Sequence, residues 1–434
     1  MKLCVLGAGR IGLVIANGLA DLGHEILCYD TDQEKICLLN DSTIPFYEPG
    51  LKDLAVKNFI AQKIQFSHDL QATLEFSSVL FVAIGTGKND FTSPDQLNLE
   101  TAIADFANPS TDYTFILKST VAPGTAQHLQ KKWQNKKHRF ISNPEFLSQG
   151  QALSDFFHPR RIVVGAVNKM DFDLMRSIYA PLLEKNKDLP YIEMDNTSAE
   201  ITKIAANSFL ASRLSLMNEV NRLAYALDAN IEAIEKGIGA DARIGAQYLQ
   251  SGLGYGGSCL SKDTETLAQT LKKHELENDF VKSINITNLK QIDYVYRRIQ
   301  KIILSGPILI WGASYKKDTD DLRNSPAWHL IQKFAKNNQK LFVYDPYAYS
   351  EIDKKAQELK VFSAHIQLIK NFEECFARND FYSNIIITTD WDQFKLENLK
   401  PEQIQTLKNK TIFDTRRLWN KNQAQSYGLN YYAL

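Results

Sequence analysis

The sequence predicts an α/β protein with two doubly wound parallel-sheet domains joined by a long central helical segment. Three observations carry this. The chain has 434 residues, too many for one ordinary hydrophobic core. Short apolar runs alternate with helix-like stretches toward both ends, the rhythm of strands covered on both faces and linked by crossover helices. Between them, over about 197–295, no strand pattern is found. The expected boundaries are therefore 1–196, 197–295 and 296–434.

The opening, MKLCVLGAGRIGLVIANGLADLGHEILCYD, reads strand, glycine turn, helix, strand. Residues 2–6 form a continuous apolar run, and Ala16, Leu19 and Ala20 punctuate the helix. Gly7, Gly9 and Gly12 form G-x-G-x-x-G: the first permits a tight turn, the second lets a pyrophosphate approach the backbone, the third lets helix and strand pack closely. Free N–H groups and the dipole at the helix start favour that anion. Asp30 ends the second strand, where a carboxylate binds ribose hydroxyls and repels a 2′-phosphate. The turn thus reads as a Rossmann-like NAD site; a glycine-rich β–α turn without ligand is the competing reading.

Further apolar runs at 78–84, 114–118, 139–142 and 161–166 extend this sheet, each step expected as a parallel right-handed crossover. Loops at the carboxyl edge should carry the site: GTGKND, KSTVAPGT (118–125) and SNPEFLSQG (142–150). Thr120 is suited to hydrogen-bond a water or substrate oxygen, and Glu145 to accept its proton. Taken singly, Thr120 reads better as a turn or cap residue and Glu145 as a first-turn helix charge.

Residues 197–227 read as one long helix opened by a capping box, Thr197 with Glu200. Lys203 and Asn207, spaced i,i+4, leave one face, and such a pair can stabilise an oxyanion. The plainer reading is an exposed Glu200–Lys203 pair. Ile201, Ile204, Ala205 and Leu210 are expected among the core-facing positions. GYGGSCLSKD then sets Cys259 in a glycine-rich loop, with Lys262 and Asp263 behind it and Ser261 as a candidate helix cap. Glycines let backbone approach a substrate, and a positive field keeps sulfur ionised. A packed cysteine in a flexible loop fits the same letters.

The second sheet is expected from runs at 308–312, 340–345, 384–388 and 411–415. WGASYKKDTDDLRNSPA follows the first of these, and Ser325-Pro326 opens the next helix with proline at its tolerated first position. Two nucleotide-binding sheets with a cysteine loop between them suggest two nucleotides meeting at a thiol.

Composition narrows the class. Lys+Arg and Asp+Glu each number 50, so no net charge draws the chain to nucleic acid or membrane. Hydrophobic residues at 44% and charged residues at 23% are ordinary globular values. Cys4, Cys28, Cys37, Cys259 and Cys375 are scattered without paired metal-ligand spacing, so no metal site is expected and a reducing cytosol is. The N-terminus runs straight into a strand, and no apolar run approaches membrane-spanning length. A soluble, cytoplasmic protein is expected.

Nine motifs in order resemble the UDP-glucose dehydrogenase family, within the UDP-glucose/GDP-mannose dehydrogenase group: GAGRIG, NDSTIPFYEPGL (40–51), KSTVAPGT, NPEFLSQG, AEITKIAANSF, RIGAQYLQSGLGYGGSC, GASYKKDTDDLRNSP, VYDPY (343–347) and DTRR (414–417). The resemblance spans nearly the whole chain. It implies two successive NAD-dependent oxidations at C6 of UDP-glucose, by a homodimer or higher homo-oligomer. Cys259 would be the nucleophile, Lys203 and Asn207 the oxyanion partners, Asp263 a proton-transfer group, and Thr120 with Glu145 would direct the hydrolytic water. Gly7, Gly9, Arg10, Ile11, Gly12, Asp30, Lys35, Thr86, Thr120 and Arg323 would hold NAD. Around the sugar nucleotide the resemblance places Glu145, Phe146, Leu147, Lys203, Asn207 and Arg243, the last supplied across a dimer interface. Tyr248, Leu249, Ser251, Gly256, Tyr315, Lys316 and Arg416 complete that set.

The chain departs from the family pattern at four places. Leu260-Ser261 stands for Phe-Pro, Gln149 for a second glutamate, Gly87 for a proline and Arg160 for an aspartate. Gln149 cannot serve as a base, which bears on thioester hydrolysis; Leu260-Ser261 bears on the fit of the sugar. Dehydrogenases of UDP-N-acetylmannosamine and GDP-mannose share the fold and the cysteine chemistry. Lys262-Asp263 after the cysteine favours the UDP-glucose branch, since the acetamido-sugar branch tends to carry His before Cys and Val-Asp-Pro after it. A catalytically silent sugar-nucleotide-binding homologue is the reading from another class, and joint retention of Lys203, Asn207, Cys259 and Asp263 argues against it.

Overall fold

The computed structural model describes residues 1–85, 96–107, 111–134, 136–303, 305–358 and 365–434. Its first sheet contains β1 (Lys2–Leu6), β2 (Glu25–Tyr29), β3 (Ile64–Ser67), β4 (Val79–Val82), β5 (Thr114–Leu117), β6 (Arg139–Ser142), β7 (Ile162–Gly165) and β8 (Tyr191–Met194). They lie in the order β3-β2-β1-β4-β5-β6-β7-β8. The five apolar runs expected here all become strands. Four residues of β1 are buried because helices cover both faces, which is why the run is unbroken rather than alternating.

One expected crossover is not formed. β6 and β7 pair antiparallel at Ser142–Gly165, while β7 and β8 run parallel to each other. The chain after β6 spends its length on the loop 143–150 and the six-residue helix Ala152–Phe157, then re-enters the sheet from the same edge. Gly165 ends β7 where a Cβ would lie 2.7 Å from that of Ala199, so glycine admits the start of the long helix.

That helix runs Asn196–Ala226. The Thr197–Glu200 capping box does not form: Asp195 accepts from the Ser198 N–H at 2.9 Å instead. Ile204 is fully buried, whereas Ile201 is 43% exposed, contrary to its expected core-facing position. Helices Ile231–Gly239, Cys259–Lys273 and Asp279–Gln300 follow, with no strand among them.

The second sheet contains β9 (Ile308–Trp311), β10 (Leu341–Tyr344), β11 (Ile366–Leu368), β12 (Asn384–Ile387), β13 (Thr411–Asp414) and β14 (Asn430–Ala433). Its order is β11-β10-β9-β12-β13-β14, parallel throughout. Ile308, Ile310 and Val343 pack with Leu330, Ile331 and Phe334 in one layer, and Trp311 packs with Phe394 and Trp419 in the other. The chain forms two compact units, Met1–Ala206 with Glu265–Glu277 and Asn207–Thr264 with Asn278–Leu434. Among the described residues no helix is long and apolar enough to cross a membrane.

Candidate active site

In the first unit the turn after β1 is built by close approach. Gly7 has φ +102°, and a Cβ there would lie 2.7 Å from the Ala83 carbonyl oxygen. At Gly12 it would lie 1.8 Å from the Gly7 oxygen, so the first helix (Arg10–Asp21) can begin this close to the strand only with glycine. Gly9 occupies the N-cap without a side-chain cap, and nothing lies within 4 Å of its would-be Cβ. Helix-start N–H groups facing open space form an anion cradle. Asp30 accepts from the Ala8 N–H at 2.7 Å and from Lys35 Nζ at 3.0 Å. Arg10 lies over the Phe46 ring at 4.7 Å, and Ile11 packs partly buried against the core. These residues fit a dinucleotide. Thr86, expected beside them, lies outside the described residues.

The loops after β5 and β6 meet the long helix within the same unit. Thr120 lines a small pocket with Ser119, Ser142, Pro144, Glu200 and Lys203. Lys203 Nζ and Glu145 Oε1 are 3.0 Å apart, and both side chains are about 5% exposed or less. Glu145 Oε2 also accepts from the Leu147 N–H at 2.6 Å, which turns the loop back on itself. Phe146 presents its ring to Arg161 at 3.7 Å and to Lys203 at 5.4 Å. A buried ion pair with such neighbours holds a proton-accepting oxygen and a cation at fixed positions.

The exposed Glu200–Lys203 pair is overturned, because both residues are buried. Glu200 accepts from the Gly124 N–H at 2.6 Å, the Ala126 N–H at 2.9 Å and Ser142 Oγ at 3.0 Å. One carboxylate thus fastens the loop 120–124, the end of β6 and the long helix. Burial raises the pKa of Glu200, and these donors oppose that shift. Sequence reasoning missed this role because a glutamate in the first turn of a helix looks like a surface charge. The signal was its place between Ala199 and Ile204, both wholly buried.

The second unit carries the thiol. Cys259 is the first residue of its helix and is exposed, with Ser258 Oγ 3.7 Å from its sulfur. The helix therefore begins before Ser261, which sits buried in the first turn and does not cap it. Gly256 is required where a Cβ would come within 2.7 Å of Asn324, Pro326 and Tyr315. Asn207 Nδ2 donates to Asp263 Oδ2 at 2.6 Å, and Lys262 Nζ lies 2.9 Å from Asp263 Oδ1. Asp263 is fully buried, with Asn207 Nδ2 as hydrogen-bond donor to one oxygen and the Lys262 ammonium beside the other.

The remaining expected contacts are distributed over the second unit. Arg416 donates to the Thr388 and Tyr315 carbonyls at 2.8 and 3.0 Å. Ser251 donates through N–H and Oγ to Glu235, which also pairs with Arg417 at 2.7 Å. Arg323 pairs with Asp321, Lys316 lies 5.8 Å from the Tyr315 ring, and Leu249 packs with Met217. Arg243 is exposed apart from its pair with Asp241, and Tyr248 takes φ +60°. Glu235 and Arg417 were not singled out from the sequence, although Arg417 belongs to the DTRR motif.

Residues 1–183 match the NAD binding domain of the UDP-glucose/GDP-mannose dehydrogenase family, residues 197–290 its central domain and residues 309–421 its UDP binding domain. Among curated relatives, the Bacillus subtilis (strain 168) protein YtcA is 33% identical, covering 99% of this chain and 98% of its own. The UDP-glucose 6-dehydrogenase YwqF of the same organism is 31% identical, covering 100% and 97%. Among solved structures, a UDP-glucose dehydrogenase from Pyrobaculum islandicum aligns with TM-score 0.86 at 28% identity, over 100% of this chain and 96% of that one. A UDP-D-ManNAc dehydrogenase from Pyrococcus horikoshii aligns with TM-score 0.80 at 21% identity, over 100% and 99%, a likeness of fold alone. With the glycine cradle, the strand-end loops and the cysteine helix all in matched segments, this chain belongs to the UDP-glucose/GDP-mannose dehydrogenase family of NAD-dependent nucleotide-sugar dehydrogenases.

Proposed function

We propose that the chain catalyses the four-electron oxidation of UDP-glucose at C6 to UDP-glucuronate through a covalent intermediate on Cys259. The observation that carries this is the joint retention of Lys203, Asn207, Cys259 and Asp263 in their motifs, with Asn207 hydrogen-bonded to Asp263 at 2.6 Å. NAD, when bound in the glycine cradle, supplies the hydride acceptor for both oxidations. Cys259 adds its sulfur to the C6 aldehyde to form a thiohemiacetal, and the second oxidation leaves a thioester. The start of a helix favours the thiolate needed for that attack. Lys203 and Asn207 stabilise the oxyanion, and Asp263 moves a proton through a water. Thr120 positions the hydrolytic water and Glu145 deprotonates it, which breaks the C–S bond and releases the carboxylate. Tyr248, Leu249, Ser251, Gly256, Tyr315, Lys316 and Arg416 grip the UDP-sugar.

Lys262-Asp263 supports glucose over an acetamido sugar, and the same chemistry on UDP-N-acetylmannosamine or GDP-mannose is the second reading. The protein acts as a cytoplasmic homodimer. Phe209, Leu216 and Leu223 of the long helix, with Leu227 just past its end, are each at least 60% exposed, a face suited to a second copy. Exposed Arg243 is then the residue donated across that contact.

The test is NADH formation with UDP-glucose, UDP-galactose, UDP-N-acetylmannosamine and GDP-mannose, together with Cys259→Ser. UDP-glucose is expected to turn over fastest. Cys259→Ser is expected to stop steady turnover and to accumulate a covalent sugar adduct in intact-protein mass spectra, absent without NAD. Steady wild-type turnover by Cys259→Ser would make the cysteine a packing residue.

A further inference from the structure

Lys118 directly follows β5 and is buried, yet no step above uses it. Its Nζ donates to Asn143 Oδ1 at 3.0 Å and to Tyr179 Oη at 3.3 Å. Tyr179, from the helix Lys169–Lys185, donates in turn to Asn143 Oδ1 at 2.7 Å. Asn143 Nδ2 completes the cluster by donating to the Val163 carbonyl at 2.8 Å. Both acceptors of the lysine are neutral. A buried ammonium held only by neutral oxygens, with a second cation in its field, is a costly way to hold two loops together. A neutral side chain of the same length would pack as well, so the charge calls for a reason beyond packing.

The placement supplies one. Lys118 stands two residues before Thr120, and Asn143 stands two before Glu145. The charged groups whose fields reach Lys118 are Glu145, from the loop after β6, and Lys203, from the long helix. Tyr179 faces it as a neutral phenol, since burial pushes that hydroxyl up. We propose that Lys118 is a positioning residue for the Glu145–Lys203 pair: it ties the loop carrying Thr120 to the loop carrying Glu145 and sets the charge balance of the pair by its field. This rests on the roles given above to Glu145 and Lys203. Burial lowers the ammonium pKa from 10.5 to about 7, opposed by Glu145 and aided by Lys203, so the balance is adjustable near neutral pH.

The test compares Lys118→Met, which removes the cation, with Tyr179→Phe, which keeps it. Lys118 carries its charge below about pH 7 and loses it above, so only the acid limb of the kcat–pH profile should move up in the first variant, with kcat lowered and KM for NAD unchanged. Tyr179→Phe should lower kcat without moving either limb. An unmoved profile in Lys118→Met overturns the proposal.

Thermal stability gives a readout free of turnover. The folded lysine titrates near 7 and the unfolded one near 10.5, so between those values the unfolded chain binds more protons. Wild-type Tm should then rise from pH 7 to 10 relative to Lys118→Met, and parallel curves would overturn the lysine's titration near neutral pH. Should the methionine variant not fold, Lys118→Gln carries the same comparison. A wild type inactive on every nucleotide sugar would overturn the function reading instead, with the Tm comparison still decisive for the titration.

Discussion

The two sheets begin with the same construction and end with different chemistry. In each, a positive-φ glycine follows the first strand, Gly7 at +102° and Gly312 at +98°. In each, the next residue donates its N–H to an aspartate at the end of the neighbouring strand, Ala8 to Asp30 at 2.7 Å and Ala313 to Asp345 at 2.8 Å. The strand order is also the same for six strands, counted outward from β1 and from β9.

The difference lies in the helix that follows. After Gly7 the helix starts at Arg10, its N-cap Gly9 offers no side chain, and its first N–H groups are open to an anion. After Gly312 the chain runs on to Ser325 before the helix begins. Ser325 Oγ then accepts from the Trp328 N–H, and Pro326 has no N–H to give. A dinucleotide pyrophosphate is therefore served by the first turn and not the second. The second sheet instead presents side chains, and the segment Ala313–Asn324 is where Tyr315, Lys316 and Arg323 are found. Two turns of one design have diverged because one leaves its helix start bare and the other caps it.

The strongest way to break this contrast is one substitution at each turn. Gly12→Ala puts a Cβ 1.8 Å from a backbone oxygen, with no flexible side chain to yield. NAD binding, followed by protein fluorescence or calorimetry, should be lost altogether. Gly312→Ala meets the Thr389 side chain at 2.4 Å and strains a φ of +98°, so it should lower Tm. Its NAD affinity per folded molecule should match the wild type. Equal loss of NAD affinity from both would erase the assignment of the cofactor to the first sheet.

Next in size is Lys203→Ala, which separates the cradle from the chemistry at the edge of the same sheet. It should lower turnover by about a hundredfold, as for loss of one oxyanion donor, with NAD affinity little changed. Glu145 would be left buried without its cation, so a fall in Tm is expected as well. Near-wild-type turnover would leave Lys203 as the structural partner of Glu145 and nothing more.

Legibility in the sequence followed burial. The strands read from apolar runs lie inside the sheets. Those without such runs, β3, β8, β11 and β14, are all edge strands. An edge strand exposes part of its residues, as β3 (Ile64–Ser67) does, where buried Ile64 and Phe66 alternate with exposed Gln65 and half-buried Ser67, so it has no unbroken apolar signal. The antiparallel entry of β7 was equally silent, since strand direction is not written in composition. At the candidate site, the groups in family motifs were legible as letters, but not their partners. Glu200 looked like a cap and Lys118 like a loop lysine, because a buried charge is recognisable only once the groups around it are placed. Cys259 was legible because glycine spacing announces a loop that must approach something closely.

The smallest expected effect is the finest test of the contrast, and it concerns the paired aspartates. Asp345 is consumed by its own unit: Oδ2 accepts from the N–H groups of Ala313 and Ser314 and from Ser314 Oγ at 2.8–2.9 Å. Its Oδ1 accepts from the N–H groups of Tyr347 and Ala348 at 3.2 and 3.1 Å. An asparagine keeps one acceptor oxygen and turns an NH2 toward donors on the other side, leaving at least one buried N–H unpaired. Asp345→Asn should therefore cost roughly 1–3 kcal/mol of stability, read from denaturant midpoints. Cofactor preference should not change. Asp30 retains 12% exposure and fewer donors, which leaves lone pairs for ribose hydroxyls. Asp30→Asn should therefore act on the cofactor: the wild type's preference for NAD over NADP should narrow, because the carboxylate that repels a 2′-phosphate has gone. If Asp345→Asn narrowed that preference too, or Asp30→Asn left it intact, the two aspartates would not have diverged in the way their hydrogen bonds indicate.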